Sequence, residues 1–218
     1  MSEFDLVIFD CDGVLIDSEI ISARMLVGEL DRLGLTIDQA YVERHFLGRS
    51  YPVVMETIRR EFGLDLPPDF EAQYREALLA AFQTELKVVP HVHDVLANIG
   101  VPYCVATSSS PRRVELSLAL VGLSTLIGDK VFTSTLVKRG KPAPDLFLYA
   151  AEKMGARPDR TLVIEDSLTG IRAGLAAGMT VWRFVGGSHL GAQTPEEPKD
   201  ALPHRRLVSF AEFFQIAP

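Results

Sequence analysis

The chain contains only two cysteines in 218 residues, Cys11 and Cys104. They form neither a CxxC pair nor a spaced framework, which argues against a disulfide-stapled or cysteine-ligated metal protein, and both read as small core hydrophobes. Also missing is any apolar run of the roughly 18 residues that a membrane span requires. The opening residues, MSEFDLVIF, lack a basic start and a long apolar stretch, so no signal peptide is expected and a cytoplasmic location is. Positive charge is in deficit: 22 Lys and Arg stand against 29 Asp and Glu, a formal net charge of -7. That balance argues against nucleic acid or an anionic membrane as the main partner, since both require a basic face. An anion would have to be held locally, by a metal ion, a few lysines or helix N-termini.

What is present is ordinary for a folded protein, with 47% hydrophobic and 23% charged residues. Leu6-Val7-Ile8-Phe9 is a short apolar run that stops at Asp10, as a buried parallel strand would. Four similar runs follow at residues 102–106 (PYCVA), 130–133 (KVFT), 161–164 (TLVI) and 180–184 (TVWRF). Helix-patterned stretches at 112–120, 145–154 and 170–177 lie between them, the last stopped by Gly178. Strands alternating with helices predict an α/β protein with a doubly wound, mostly parallel, Rossmann-like sheet.

Residues 18–84 break the alternation. Their apolar residues recur at helical spacing, in the sets Met25, Leu26, Leu30 and Leu33, then Val53, Val54, Ile58 and Phe62, then Tyr74, Leu78, Leu79 and Phe82. The expectation is a small all-helical domain at 18–84, with a loop at Pro67-Pro68, inserted into a core made of residues 1–17 and 85–218. Residues 185–206 read as irregular loop before a short final helix at 209–214.

Polar clusters fall directly after the predicted strands, where ligands bind in open α/β sheets. They are Asp10-Cys11-Asp12-Gly13, Thr107-Ser108-Ser109, Lys141-Pro142-Ala143-Pro144-Asp145 and Glu165-Asp166-Ser167. Two carboxylates two residues apart in a tight turn repel unless they share a cation or a proton. A hard divalent ion relieves this, Asp166 would complete the acidic cluster, and Mg2+ suits a site that keeps room for water and a substrate phosphate. Asp10 could then attack phosphorus, and Asp12 could protonate the leaving alkoxide and later deprotonate water. Thr107, the amides after it and Lys141 would supply donors for the phosphoryl oxygens. Taken singly, each cluster has a plainer explanation: a DxDG turn, a Thr-Ser-Ser helix cap, a solvated loop lysine, an acidic N-cap. Their joint placement at strand ends favours the chemical reading.

These residues resemble the haloacid dehalogenase-like hydrolase superfamily, in its β-phosphoglucomutase-like and phosphoglycolate-phosphatase-like branch. FDCDGVLIDSE is similar to the family's first motif, VATSSS to its second, KPAPD to its lysine motif and IEDSLTGIRAGLAAGM to its acidic motif. The resemblance spans nearly the whole chain. It implies a magnesium-dependent phosphatase of a small phosphorylated metabolite, such as a sugar phosphate or phosphoglycolate, working through an aspartyl-phosphate. Asp10 is then the nucleophile, and Asp12 the acid/base that also offers the metal its backbone carbonyl. Asp166 is a metal ligand, and Glu165 helps to hold the metal or its waters. Thr107, Ser108 and Lys141 hold phosphoryl oxygens, and the helical insertion is a cap that closes over the site. Asp12 disfavours halide displacement. Where mutase members carry a histidine and an arginine, this chain has Ser22 and Tyr51, with Arg49 nearby as a candidate substrate contact. A sugar phosphomutase and a non-catalytic phosphate- or magnesium-binding regulator are the alternatives. Glu19 reads as a possible helix cap, and His45, His91 and His93 as structural or exposed.

Overall fold

In a computed structural model of the chain, which describes residues 3–46, 49, 51–190 and 197–216, the apolar runs become parallel strands of one sheet. The five runs give β1 (Leu6–Phe9), β2 (Tyr103–Thr107), β3 (Val131–Thr133), β4 (Thr161–Glu165) and β5 (Thr180–Phe184), and a sixth strand, β6 (Arg205–Leu207), joins them. Their order is β3-β2-β1-β4-β5-β6, with every neighbouring pair parallel. Ile8 pairs with Cys104 on one side and with Val163 on the other, so β1 is central. The chain leaves β1 towards β2 and β3, then returns past β1 to β4. This reversal leaves a crevice at the carboxyl ends of β1, β2 and β4.

The two-residue period of a strand sends alternate side chains to opposite faces. Val7 and Phe9 pack on the side of α5 (Val92–Asn98), α6 (Pro111–Leu120), α7 (Ser124–Ile127) and α10 (Phe213–Ile216), against Val95, Leu118, Ile127 and Phe213. Leu6 and Ile8 pack on the other side, against Phe147 of α8 (Asp145–Lys153) and Ile171 of α9 (Leu168–Ala176). Both faces are covered, which is why β1 reads as unbroken hydrophobic sequence.

Between β1 and α5 lie α1 (Glu19–Arg32), α2 (Gln39–His45), α3 (Tyr51–Phe62) and α4 (Phe70–Glu85). They surround a separate apolar cluster that includes Leu26, Leu30, Val42, Phe46, Val54, Ile58, Tyr74, Leu78 and Phe82. Full burial of each large side chain contributes about 1.5–3 kcal/mol, which is what makes this group of helices cohere. Val53, expected on the inner face of α3, is 43% exposed. The chain crosses into these helices and back through paired strands of backbone: Asp17 N donates to Lys87 O at 2.9 Å and Val89 N to Leu15 O at 3.0 Å.

The carboxyl-terminal region differs from expectation. Instead of continuous loop up to residue 206, Arg205–Leu207 adds β6 at the sheet edge, with Trp182 opposite Arg205. Three residues that include two exposed arginines carry too little alternation to announce a strand, and a short charged edge is also a poor template for aggregation. A 3-10 turn, Phe210–Glu212, precedes α10 within the expected final helix. Part of the expected loop, residues 191–196, lies outside the described residues.

Candidate active site

Asp10 continues β1 beyond its last strand residue, donating from its amide to Ile164 O at 2.9 Å. Gly13, at φ +77°, then turns the chain sharply, and its amide donates to Ile16 O at 2.8 Å. A Cβ at Gly13 would lie 2.2 Å from Asp166 Oδ2, so the glycine is needed both for its backbone conformation and for the approach of Asp166. Gly170 plays the second role for Glu165, whose Oε1 would be 1.6 Å from an added Cβ.

The β2 and β4 ends present their polar residues beside Asp10. Thr107 Oγ1 accepts from the Ser109 amide at 3.0 Å, and Ser110 caps α6 by accepting from the Arg113 amide at 3.4 Å. Ser167 caps α9 by accepting from the Gly170 amide at 3.1 Å. Two helix N-termini, favourable places for an anion, are thus aimed at the same strand ends.

Lys141 reaches this cluster from the loop before α8. Its Nζ donates to Asp10 Oδ1 at 2.6 Å, Glu165 Oε1 at 2.8 Å and Ala106 O at 3.0 Å. Burial pushes Asp10 well above the usual carboxylate range, with Lys141 opposing and Glu165, Asp166 and Asp12 reinforcing the shift. Burial raises Glu165 in the same way. Burial disfavours the charged lysine, but its two carboxylate partners win and hold it protonated, above its ordinary value.

Asp12 has different company. Ser18 Oγ and Arg113 Nη2 donate to its Oδ1, each at 2.6 Å, and Ser109 Oγ donates to Oδ2 at 2.6 Å. Burial would raise it, yet Arg113 and the two hydroxyls prevail and keep it below the ordinary value. Glu19, buried nearby, is pushed up to about 8 by burial and then by the charges of Asp12 and Asp166.

Carboxylate oxygens of Asp10, Glu165 and Asp166 lie within 4.8 Å of one another and could hold a metal ion. The donors are all hard oxygens, and the two glycines bring carboxylates close where a Cβ would push them away, so the set fits a small divalent cation. The Asp12 carboxylate is not in this group; it is occupied by Ser18, Ser109 and Arg113.

The structure gathers Asp10, Asp12, Thr107, Ser108, Lys141, Glu165 and Asp166 around one cavity of about 880 Å³ between the strand ends and the helices α1–α4. Arg49 stands at the cavity wall but is exposed. His45 stacks on Tyr41 and His91 lies 3.7 Å from Asp94, both away from this cluster. Two participants are absent from the sequence reading. His189 Nε2 lies 2.9 Å from Asp166 Oδ2, buried, and that carboxylate raises the imidazole against the effect of burial. Its position in a Gly-rich stretch gave no periodic signal. Arg113 did leave one: two arginines in the first turn of α6 sit where the helix dipole disfavours cations.

A family model for haloacid dehalogenase-like hydrolases matches residues 4–178. The chain belongs to the haloacid dehalogenase-like hydrolases. It is 30% identical over 217 residues to the 6-phosphogluconate phosphatase of Escherichia coli, a match covering 99% of this chain and 94% of that protein. It is 34% identical to the fructose-1-phosphate phosphatase of the same organism, over 79% of this chain and 92% of that protein. Among solved structures, a haloacid dehalogenase family hydrolase from Deinococcus radiodurans with bound phosphate and sodium superposes with a TM-score of 0.77 at 33% identity, covering 98% and 94% of the two chains.

Proposed function

We propose that this enzyme is a magnesium-dependent phosphatase of a small phosphorylated sugar or sugar acid. The observation that carries the reading is the buried lysine between Asp10 and Glu165, beside a third carboxylate and two helix N-termini. A cluster so rich in charge is costly to bury unless it serves an anion and a cation together. Relatives that act on 6-phosphogluconate and fructose 1-phosphate support the substrate class.

In this reading Asp10 attacks phosphorus and becomes the aspartyl-phosphate, while Lys141, Thr107 and the Ser108 amide hold phosphoryl oxygens. Asp12 gives a proton to the departing alkoxide and takes one from the water that follows. Asp10, Asp166 and Glu165, with the Asp12 backbone carbonyl, would hold Mg2+, which supplies charge neutralisation for the phosphate when bound. Residues 18–84 act as a cap over a core of 1–17 and 85–218, and Arg49 at the rim contacts the substrate. No helix among the described residues is long and apolar enough to cross a membrane, and two free, buried cysteines are consistent with work in the cytoplasm.

A panel of phosphomonoesters assayed with Mg2+ tests the reading, with phosphate release as the signal and Asp10→Asn as the control. Turnover of sugar phosphates that vanishes in the variant is expected. Equal turnover by the variant, or isomerised sugar phosphate in place of free phosphate, would refute it.

A further inference from the structure

Arg113 projects from the first turn of α6, a core helix, into the cavity. Its Nη2 donates to Asp12 Oδ1 at 2.6 Å and to Ser22 Oγ at 3.1 Å, and its guanidinium carbon lies 5.3 Å from the centre of the Phe82 ring. Asp12 belongs to the turn after β1, whereas Ser22 and Phe82 belong to α1 and α4. One side chain therefore joins the carboxylate to both groups of elements where they meet. The hydroxyls of Ser18 and Ser109 also hold Asp12, but a hydroxyl rotates freely. A planar guanidinium set against an aromatic ring cannot, and it fixes a direction. Its Nε is buried without a hydrogen-bond partner, so the group is seated for Asp12 and Ser22 at the expense of one of its other donors.

We propose that Arg113 is a positioning residue: it aims the Asp12 carboxylate at the water that opens the aspartyl-phosphate, with Ser22 and Phe82 of the helical layer completing its seat. This rests on the reading of Asp12 as the acid/base. In that step a bond forms between the water oxygen and phosphorus, and the bond from phosphorus to the Asp10 oxygen breaks. The electron pair returns to the Asp10 carboxylate, the water proton passes to Asp12, and inorganic phosphate leaves. Without Arg113, Asp12 keeps its hydroxyl partners but loses its fixed aim, and the second half-reaction slows.

p-Nitrophenyl phosphate separates the halves, because nitrophenolate leaves without help from an acid. In rapid mixing with Mg2+, Arg113→Met is expected to release one nitrophenolate per site in a burst. Steady turnover should then run about 10²-fold below wild type, within the range of a misplaced general base. Acid-quenched protein should carry the phosphoryl group on Asp10. Arg113→Lys should restore part of the steady rate, and Ser22→Ala, which removes one hydrogen bond donated by the charged guanidinium, should slow it about tenfold. Turnover of Arg113→Met within about twofold of wild type overturns the proposal, as does slow turnover with neither burst nor phosphoenzyme. If the methionine variant does not fold, the burst and phosphoenzyme in Arg113→Lys decide the matter by the same criteria. Asp12→Asn tests the underlying reading separately. Wild-type turnover there removes the role of Asp12 itself, while a burst there and none in the Arg113 variants removes the Arg113 role alone.

Discussion

Lys141 Nζ and Asp10 Oδ1 are 2.6 Å apart although 131 residues separate them in sequence, and the lysine side chain is 2% exposed. The same ammonium also serves Glu165, so its removal strands two buried carboxylates. Lys141→Met should lower kcat/KM by about 10²–10³-fold, the effect of losing a preorganised charge at the reacting group. It should also destabilise the fold by about 3–5 kcal/mol at neutral pH. Urea titration and turnover check the two effects together. Arginine should not rescue, since a planar fork does not fit a seat that the Phe147 ring, 4.7 Å from Nζ, helps to close.

The two glycines beside the carboxylates make a prediction of their own. Gly13→Ala puts a side chain at φ +77° and 2.2 Å from Asp166 Oδ2. The backbone conformation alone costs about 1–2 kcal/mol, and Asp166 must also shift. Turnover should fall at least tenfold, and more Mg2+ should be needed for half-maximal rate. A variant with wild-type magnesium dependence would show that Asp166 does not bear on the metal.

The sheet and its order of layers were legible because β1, β2 and β4 are buried on both faces and therefore unbroken in hydrophobicity. Asp10, Thr107 and Glu165 could be placed at one edge because strand ends are abrupt in sequence. His189 and Arg113 could not be placed the same way. His189 meets Asp166 from a 3-10 turn after β5, and Arg113 meets Asp12 by reaching 101 residues back along the chain. No periodicity encodes such meetings. β6 escaped for a related reason: its pairing with β5 supplies the order that its own three residues do not.

Arg49 provides a contrast, being exposed at the cavity wall. Its charge can attract an anionic substrate, but it lies outside the buried cluster. Arg49→Ala should therefore raise KM a few fold, about 0.5–1 kcal/mol, and leave kcat and thermal stability unchanged. Steady-state kinetics at low and at high salt check this, because screening should shrink the difference between the variant and wild type.

Glu197 accepts from Arg206 and from Arg183, the latter at 2.9 Å, and these partners bring its carboxyl down to about 2 despite partial burial. In the unfolded chain the group returns to about 4.3. Its folded pKa is the lower, so its contribution is complete above the unfolded value and is lost as pH falls from about 4.3 towards 2. Arg206 is 46% exposed, so solvent screening cuts the contribution to about 1–2 kcal/mol. Glu197→Gln should lower stability by that amount at pH 7 and by little near pH 2, as read by urea unfolding at the two pH values.

The three-carboxylate cluster predicts a response that needs no substrate. Oxygens of Asp10, Glu165 and Asp166 lie within 4.8 Å, so a divalent cation that binds the folded chain relieves their repulsion. Mg2+ at a hundred times its dissociation constant should stabilise the protein by about 2.7 kcal/mol, and chelation should reverse the shift in melting temperature. Asp166→Asn should remove most of that response. Glu165→Gln should also weaken Lys141, which loses one of its two charged partners, so its melting temperature should fall even without metal. A melting temperature that ignores Mg2+ in the wild-type protein would mean that Lys141 and His189 alone balance these carboxylates.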